Sequence, residues 1–383
     1  MNKKKLIRVT TVPLSFDKLL GGQMNFMNSH YDVTAVSSEE DYLKEIGIKE
    51  QVKTLTLRLT RKITPLRDVI AVFRLYLFLK KEKPFIIHSH TPKAGIVAML
   101  AGKLANTPNR LHTVAGLPLL EARGLKRILL NKVEKLTYAC ATNVYPNSNQ
   151  LLRIILENNF LPNGKAKVIG NGSSNGIDTT FFDTAQIADQ KLLELKKELK
   201  ISDTDFVFIF VGRLVSDKGI NELVSSFLKL YRNKLQFKLL LVGPYEDELD
   251  PLLPNTKTEI KRNINIITTG YINDVRPFFA ISEALVFPSY REGFPNVVMQ
   301  AGAMGLPSIV TNINGCNEII IQNKNGLIIE TKNEEQLYLA MENLASNVKL
   351  FNSLKSNARR LILERFEQNF LWNKLLEEYK NLE

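Results

Sequence analysis

The 383-residue sequence has few of the residues that staple small secreted domains or build metal sites. It contains two cysteines, four histidines and one tryptophan, and Cys140 and Cys316 lie far apart without the spacing of a metal-binding or disulfide-rich domain. No run of about 18 apolar residues occurs, so no transmembrane helix is predicted. The basic N-terminal segment has too short an apolar run and no small-residue cleavage site for a signal peptide, so we expect a cytoplasmic protein.

Acidic residues are scarce in the first half of the chain. Residues 1–175 contain 27 Lys and Arg but only 12 Asp and Glu, whereas residues 176–383 contain 24 and 27. This asymmetry suggests two domains with different partners. A basic half can face nucleic acid, an anionic membrane surface or a phosphorylated substrate. No recognition motif with aromatic residues interleaved on a basic face occurs, so we expect no nucleic-acid partner.

Short apolar runs alternate with longer amphipathic segments throughout the chain. The predicted strands are 6–12, 31–37, 84–90, 109–116, 143–148, 206–212, 237–243, 264–270, 283–289 and 308–312. The predicted helices are 16–30, 65–83, 93–106, 124–141, 189–199, 220–232 and 361–382. This alternation predicts an α/β protein with parallel sheets covered on both faces.

A stretch rich in glycine, asparagine and serine at 170–178 separates the two α/β halves. We therefore predict an N-terminal domain over 1–172 and a C-terminal domain over 173–362. Residues 363–383 form a C-terminal helix that can pack back on the N-terminal domain. In open parallel sheets ligands bind beyond the carboxyl ends of the strands, so the residues that follow each strand are the candidates for function.

The segment VGRLVSDKG, 211–219, follows one of these strands. Gly212 ends the strand, and Arg213 and Lys218 lie in the turn before the next helix. Two cations beside free helix N–H groups form an anion site. An ordinary solvated basic turn is the alternative interpretation.

The second candidate is the segment that begins FPSYREGFPNVVMQ at residue 287. Glu292 lies in a loop bounded by glycine and proline, and a helix is predicted to start near Pro295 and Asn296, where its free N–H groups can hold a phosphate. Gln300 follows Glu292 by eight residues, so the two can contact a sugar and a ribose on either side of that phosphate. A plain helix N-terminus with a tight loop is the alternative.

These two segments closely resemble motifs of the retaining glycosyltransferases of family 4, which have the GT-B fold. HSHTPKAG (88–95), GLPLLEARGLKR (116–127), GNGSSNGID (170–178) and NGLIIE (325–330) also resemble segments of that family, in particular of its capsular and O-antigen polysaccharide branch. The resemblance implies two Rossmann-like domains whose parallel sheets face a central cleft. It also implies transfer of a hexose from a nucleotide sugar to a lipid-linked or saccharide acceptor.

The resemblance assigns roles to individual residues. Arg213 and Lys218 match the pair that holds the donor diphosphate, and Glu292 matches the acid that contacts the transferred sugar. The other residues assigned to the donor are Gly212, Tyr271, Ile272, Gly293, Phe294, Pro295, Asn296, Val297 and Gln300. His90 and Lys93 follow a predicted strand, a location that suits the acceptor or the sugar, and an ordinary strand-end hydrogen-bonding histidine is the alternative. Asn171 and Ser173, in the glycine-rich stretch, are the other candidates for binding substrate.

Two residues depart from the family pattern. Gln300 stands where a second glutamate is usual, and Ala115 stands where the family commonly has a histidine. A glutamine oxygen accepts a hydrogen bond without charge, which weakens the contact by about 1 kcal/mol. We favour an active enzyme. The alternatives are a catalytically impaired sugar-nucleotide-binding partner and a GT-B sugar-nucleotide epimerase.

The remaining expectations concern partners and location. The sequence shows no Asp, Glu and His constellation for a metal, so we expect no metal or cofactor. We expect a nucleotide sugar, in particular a UDP-sugar, as donor substrate. The resemblance implies an undecaprenyl-diphosphate-linked or saccharide acceptor. Helices 65–83 and 124–138 combine apolar faces with basic residues, which suggests peripheral attachment to anionic lipid on the inner face of the cell membrane. Ordinary surface helices that cover the sheet are the alternative.

Overall fold

The computed structural model describes residues 3–60, 62, 64–117, 119, 122–161, 164–231, 236–248 and 250–383. Pro118, Leu120 and Glu121 of the segment 116–127, and Arg232 at the end of a predicted helix, lie outside the described residues. The chain forms two compact units. The first comprises Met1–Asn175 with Asn369–Glu383, and the second comprises Gly176–Gln368.

The first unit is built on a parallel sheet in the order β3-β2-β1-β4-β5-β6. Its strands are β1 Lys5–Val9, β2 Asp32–Ser37, β3 Lys53–Thr56, β4 Ile86–Ser89, β5 Asn109–Val114 and β6 Asn143–Pro146. In register, Leu6 lies opposite both Val33 and Ile86. All three side chains are fully buried because helices cover the sheet on both faces.

The helices of this unit alternate with the strands, and those at 40–50 and 149–157 were not predicted from the sequence. They are α1 Leu14–Leu20, α2 Gln23–Asn28, α3 Glu40–Glu50, α4 Pro65–Glu82, α5 Pro92–Leu104, α6 Gly124–Cys140 and α7 Asn149–Glu157. The predicted helix 16–30 is interrupted between α1 and α2. The cause is Gly22, which has φ of +79°, and a Cβ there would lie 2.7 Å from the Trp372 ring.

The second unit repeats the architecture with a parallel sheet in the order β12-β11-β10-β7-β8-β9. Its strands are β7 Phe206–Val211, β8 Phe237–Val242, β9 Ile266–Gly270, β10 Ala284–Phe287, β11 Ser308–Thr311 and β12 Gly326–Ile329. The helices are α8 Asp189–Glu198, α9 Ile220–Tyr231, α10 Pro254–Arg262, α11 Arg276–Ala280, α12 Asn296–Ala303, α13 Cys316–Ile319, α14 Glu334–Ser346 and α15 Val348–Phe366.

The predicted C-terminal helix is two helices, α15 and α16, the second spanning Gln368–Lys380. The backbone of Ile177 separates them. Its N–H donates to the Phe366 carbonyl over 2.9 Å, and its carbonyl accepts from the Gln368 N–H over 3.1 Å. These bonds hold Glu367 in an extended bridge that a continuous helix would not allow. From there the chain returns to the first unit, where Leu375, Leu376 and Tyr379 pack in its core.

None of the described helices is both long enough and apolar enough to cross a bilayer.

Candidate active site

The two candidate motifs of the second unit lie at the carboxyl edge of its sheet. The loops after β7 and β10, which pair directly, carry Arg213, Lys218 and Glu292. Parallel strands end at the same edge, so residues that are distant in sequence meet there. The candidates Arg213, Lys218 and Glu292 thus lie at one edge of the sheet in this unit.

Gly212 and Gly243 let the loops after β7 and β8 approach backbone to backbone. Gly212 has φ of +152° and Gly243 has φ of +145°, and a Cβ on Gly243 would lie 1.9 Å from the Gly212 carbonyl oxygen. The approach brings Arg213 next to Glu246, whose Oε2 accepts a hydrogen bond from Arg213 Nη1 over 2.7 Å. This bond raises the pKa of Arg213, so the guanidinium stays charged.

Lys218 lies at the end of a short 3₁₀ turn, and its ammonium contacts Glu292 Oε1. The next residue, Gly219, has φ of +70°, and a Cβ there would lie 2.2 Å from the Pro288 carbonyl oxygen. The glycine therefore allows the loops after β7 and β10 to touch. Ser289 Oγ also donates to Glu292 Oε1 over 3.0 Å, so the carboxylate is fixed by two donors.

Two residues that sequence reasoning did not assign hold the loop that carries Glu292. Asn314 Nδ2 donates to the Glu292 carbonyl over 3.2 Å and also to the Gly293 carbonyl. Gly315 has φ of +75°, and a Cβ there would lie 2.6 Å from the Gly293 oxygen. The Asn-Gly pair after β11 is a turn signal in the sequence, but only the fold shows which loop it contacts.

Helix α12 begins directly after this loop. The helix starts where it was predicted, near Pro295 and Asn296. Pro295 is the N-cap residue, and Asn296 is the first helical residue. Phe294 is buried, with its ring centroid 5.5 Å from that of Phe366, and Val297 packs on the core. The first N–H groups of α12 thus start beside Glu292, at the edge that carries Lys218.

The remaining donor-side candidates lie further along the same unit. Tyr271 and Ile272 follow the edge strand β9, where the Tyr271 ring is 70% exposed and Ile272 is half-buried. Gln300 is half-buried on α12. Within the described residues, no hydrogen bond or ion pair joins any of these three side chains to Lys218 or Glu292.

In the first unit the structure brings together only part of the proposed acceptor set. His90 and Ser173 line one small cavity of about 20 Å³ with Thr113 and Asn147. Lys93 lies on the first turn of α5, where it forms an ion pair with Asp68 of α4. The lining of this cavity includes neither Lys93 nor the exposed Asn171.

Below His90 lies a buried polar network that sequence reasoning did not find. Arg8 is fully buried and donates to Gln23 Oε1 over 2.5 Å and to Tyr379 Oη over 3.2 Å. Because Arg8 only donates, the Tyr379 hydroxyl can give its own proton to His88 Nδ1, 2.6 Å away. His88 Nε2 then donates to Thr113 Oγ1 over 2.8 Å.

The buried surroundings of this network keep the imidazoles of His88, His90 and His112 neutral. Burial lowers the pKa of His88 and His90 well below the ordinary value, and the Arg8 charge lowers both further. Burial also lowers the pKa of His112 to about 4. Both ring nitrogens of His90 lack a hydrogen-bond partner among the described residues.

Among the described residues, no group of three or more His, Cys, Asp and Glu side chains has the arrangement of a metal site.

Comparison with known proteins identifies the family. Residues 193–361 match the model described as "Glycosyl transferases group 1", and residues 26–172 match a "Glycosyl transferase 4-like domain". The chain is 32% identical to the capsular polysaccharide biosynthesis glycosyltransferase CapM of Staphylococcus aureus, over 99% of this chain and 97% of CapM.

Two further comparisons agree with this result. The chain is 28% identical to the UDP-Gal:alpha-D-GlcNAc-diphosphoundecaprenol alpha-1,3-galactosyltransferase of Escherichia coli, over 88% of this chain and 86% of that protein. A solved glycosyltransferase structure from Rickettsia africae superposes with a TM-score of 0.82 at 22% identity, over 100% and 99% of the two chains, and so has the same fold. The chain belongs to the group 1 family of glycosyltransferases and is a glycosyltransferase of the GT-B fold, as the resemblance of its motifs implied.

Proposed function

We propose that this enzyme transfers a hexose from a UDP-sugar to an acceptor carried on undecaprenyl diphosphate, with retention of configuration at the anomeric carbon. Such a reaction would extend a capsular or O-antigen saccharide. One observation carries the proposal: Arg213, Lys218 and the start of α12 lie at one sheet edge in the second unit. The name of the E. coli relative, which includes both UDP-Gal and diphosphoundecaprenol, supports the choice of donor and acceptor.

The charges at this edge suit a donor diphosphate. Arg213 presents a planar fork that matches phosphate oxygens, and Lys218 adds a compact point charge. The backbone N–H groups at the start of α12 add donors and the positive end of the helix dipole. Glu246 and Glu292 now hold the two cations, so a diphosphate must compete with both carboxylates for them.

This competition gives Glu292 a second role. When Lys218 turns to the diphosphate, the Glu292 carboxylate becomes free to accept a hydrogen bond from a hydroxyl of the donor sugar. Ser289 and Asn314 keep the loop in place during this exchange. Gln300 and Tyr271 are our candidates for the ribose hydroxyls and the base of the donor.

The chemical step follows from these positions. The bond between the anomeric carbon and the diphosphate oxygen breaks, and its electron pair stays on the diphosphate. The acceptor hydroxyl forms the new bond on the same face, and its proton passes to the leaving phosphate oxygen. Arg213, Lys218 and α12 stabilise the negative charge that builds up on the diphosphate, which lowers the barrier.

In this proposal the two cations take the role that a metal ion has in other transferases. The expected result is that a chelator such as EDTA leaves the rate of transfer unchanged. A rate that falls with EDTA and recovers with Mg²⁺ or Mn²⁺ would contradict this part of the proposal while leaving the donor assignment in place.

We also propose that the first unit lies on an anionic membrane surface on the cytoplasmic side. Helices α4 and α6 flank α5 and expose apolar side chains. These are Leu66, Val69, Ile70, Phe73 and Leu77 on α4, and Leu125, Ile128, Leu129 and Leu136 on α6. The basic residues beside them are Arg67, Arg74, Lys80, Lys81, Lys126, Arg127, Lys132 and Lys135. Sedimentation with vesicles should show binding that increases with the fraction of anionic lipid, and equal binding to neutral vesicles would contradict it.

The transferase proposal is tested with a donor screen and a control variant. UDP-, GDP- and dTDP-sugars are incubated with the enzyme and a polyprenyl-diphosphate-linked saccharide, and the product and its anomeric configuration are determined. The double variant Arg213→Ala/Lys218→Ala should lose at least about 100-fold in turnover. Lys229→Ala, which breaks a 2.7 Å ion pair with Glu334 elsewhere in the same unit, should retain it. Unchanged turnover in the double variant would contradict the donor site, and an inverted product would contradict retention.

A further inference from the structure

A second pocket lies at the carboxyl edge of the sheet in the first unit, and no assignment above uses it. It has a volume of about 470 Å³ and lies beyond the ends of β2 and β3. Its lining comprises Ser38, Leu57, Arg58, Leu59, Thr60, Arg67, Ile70, Ala71 and Arg74. It therefore combines three guanidinium groups with an apolar wall, at the edge where parallel sheets bind ligands.

The three arginines give this pocket a positive charge that no described carboxylate offsets. Arg67 and Arg74 are seven residues apart on α4, which places them on one face about two turns, or roughly 10 Å, from each other. Asp68 is the only acidic residue in the first turn of α4, and it accepts from Lys93 and from Thr64 Oγ1 instead. Among the described residues, Arg58, Arg67 and Arg74 take part in no ion pair.

An exposed apolar stripe on α4 adjoins the pocket. Leu66, Val69, Phe73 and Leu77 are spaced three or four residues apart, so their side chains form one continuous line on the helix surface. All four are more than half exposed. Ile70, which also lines the pocket, connects the stripe to the arginines.

A ligand that satisfies both features has a polyanionic head attached to an apolar chain. We propose that the pocket binds the diphosphate of a polyprenyl-linked acceptor, while the polyprenyl chain stays in the membrane surface along the apolar stripe of α4. This inference rests on the proposed function for the chemical class of the acceptor. Two arginine forks on one helix face can each take a phosphate group, which distinguishes a diphosphate head from the single phosphate of an ordinary phospholipid.

The test measures binding without donor, so its result does not depend on transfer. Vesicles of neutral lipid containing undecaprenyl diphosphate are compared with vesicles containing phosphatidylglycerol at the same surface charge. The wild-type enzyme should bind the first kind more tightly. Arg67→Gln/Arg74→Gln should reduce that preference at least about tenfold, since a guanidinium fork makes paired hydrogen bonds to phosphate oxygens that general surface charge does not replace.

The control variant Lys80→Gln/Lys81→Gln removes the same charge from the other end of α4. It should weaken binding to both kinds of vesicle equally and keep the preference. Equal losses of preference in the two variants would show that general positive charge, and not the pocket, causes the preference. That result would overturn the proposal. The proposal would also be overturned if soluble inorganic diphosphate displaced the wild type and the arginine variant from the vesicles equally.

The two proposals can fail separately. If the wild type transfers sugar to the lipid-linked acceptor but the arginine variant keeps its vesicle preference, the pocket proposal alone is wrong. If no donor supports transfer yet the preference depends on Arg67 and Arg74, the pocket proposal stands and the proposed function is wrong.

Discussion

The Lys218 ammonium contacts Glu292 Oε1, although 74 residues separate them in the chain. Their side chains are only 14% and 17% exposed, so each depends on the other for neutralisation. Gly219 on one loop and Asn314 beneath the other bring the two together. The pair therefore contributes both to the stability of the second unit and to the proposed donor site.

Separating these contributions gives the first prediction. Lys218→Ala leaves a largely buried carboxylate without its cation, and we expect the free energy of unfolding to fall by roughly 1–3 kcal/mol, less than for a fully buried pair. Lys218→Met/Glu292→Gln removes both charges and should recover most of that loss. Transfer should stay at least about 100-fold below wild type in both variants. Denaturant unfolding and turnover measured on the same samples check this.

The outcome that contradicts this prediction is recovery of turnover together with stability in the double variant. That result would mean that the pair is purely structural.

The second prediction concerns Gly315, which supports the donor loop. Gly315→Ala places a Cβ 2.6 Å from the Gly293 oxygen and 2.8 Å from Phe294 Cα, so the loop must shift. We expect the KM for the nucleotide sugar to rise at least about tenfold, because a displacement of about 1 Å in a positioned site costs that much or more.

Gly305 offers a matched control for backbone strain. It has φ of +83°, close to the +75° of Gly315, but a Cβ there meets nothing within 4 Å. Both alanine variants should lose at least about 1 kcal/mol of stability from the backbone at positive φ, while Gly305→Ala keeps the donor KM of wild type. An equal rise of the donor KM in the two variants would show that strain, and not the clash with the loop, is what matters.

Ten strands and several helices were predictable because their side chains are patterned by burial, whereas α3, α7, α10, α11, α13 and α14 were not predicted. Ten of the strands follow near-continuous apolar runs, which a parallel sheet covered on both faces requires. The edge strand β3, Lys53–Thr56, was not predicted, since it is largely exposed and has the composition of a loop. β12 at the edge of the other sheet was likewise not identified as a strand. The break at Glu367 depends on Ile177, a contact that local sequence cannot show.

The donor-side candidates could be named from sequence because they belong to two compact motifs, but their roles remain predictions. Asn314, Gly315 and Ser289 were not named, since they act by holding another loop through backbone contacts. Arg8 was not named either. It lies within an apolar strand, and its partners Gln23 and Tyr379 come from distant parts of the chain.

The third prediction follows from the buried histidines of the first unit. His88, His90 and His112 stay neutral in the folded protein, with pKa values lowered by burial and that of His112 at about 4. The unfolded chain binds protons near the ordinary pKa of 6.5, so below that pH it holds more protons than the folded state. We expect the free energy of unfolding to fall by up to about 1.4 kcal/mol per histidine for each pH unit below 6.5, with the contribution of His112 ending near pH 4.

Unfolding of the first unit at pH 7.5, 6.5 and 5.5 measures this slope. His112→Gln removes one titrating group, so the free energy of unfolding should change less between pH 6.5 and 5.5, by the contribution of one histidine. Any effect of the substitution on stability at pH 7.5 does not alter this comparison. A slope that is the same in wild type and variant would contradict protonation of His112 on unfolding.

The fourth prediction has the opposite sign and concerns Glu134 on α6. Burial raises the pKa of Glu134 from 4.5 to about 7, so the folded protein keeps a proton that the unfolded chain releases. The free energy of unfolding should therefore fall as pH rises from 4.5 to 7, by up to about 3 kcal/mol.

Glu134→Gln stays neutral and should be more stable than wild type at pH 8 by roughly 2–3 kcal/mol relative to their difference at pH 4.5. Glu45→Gln, at an exposed position on α3, serves as the control and should stay within about 0.5 kcal/mol of wild type at both pH values. If Glu134→Gln differs from wild type by the same amount at both pH values, the buried carboxyl does not titrate in this window.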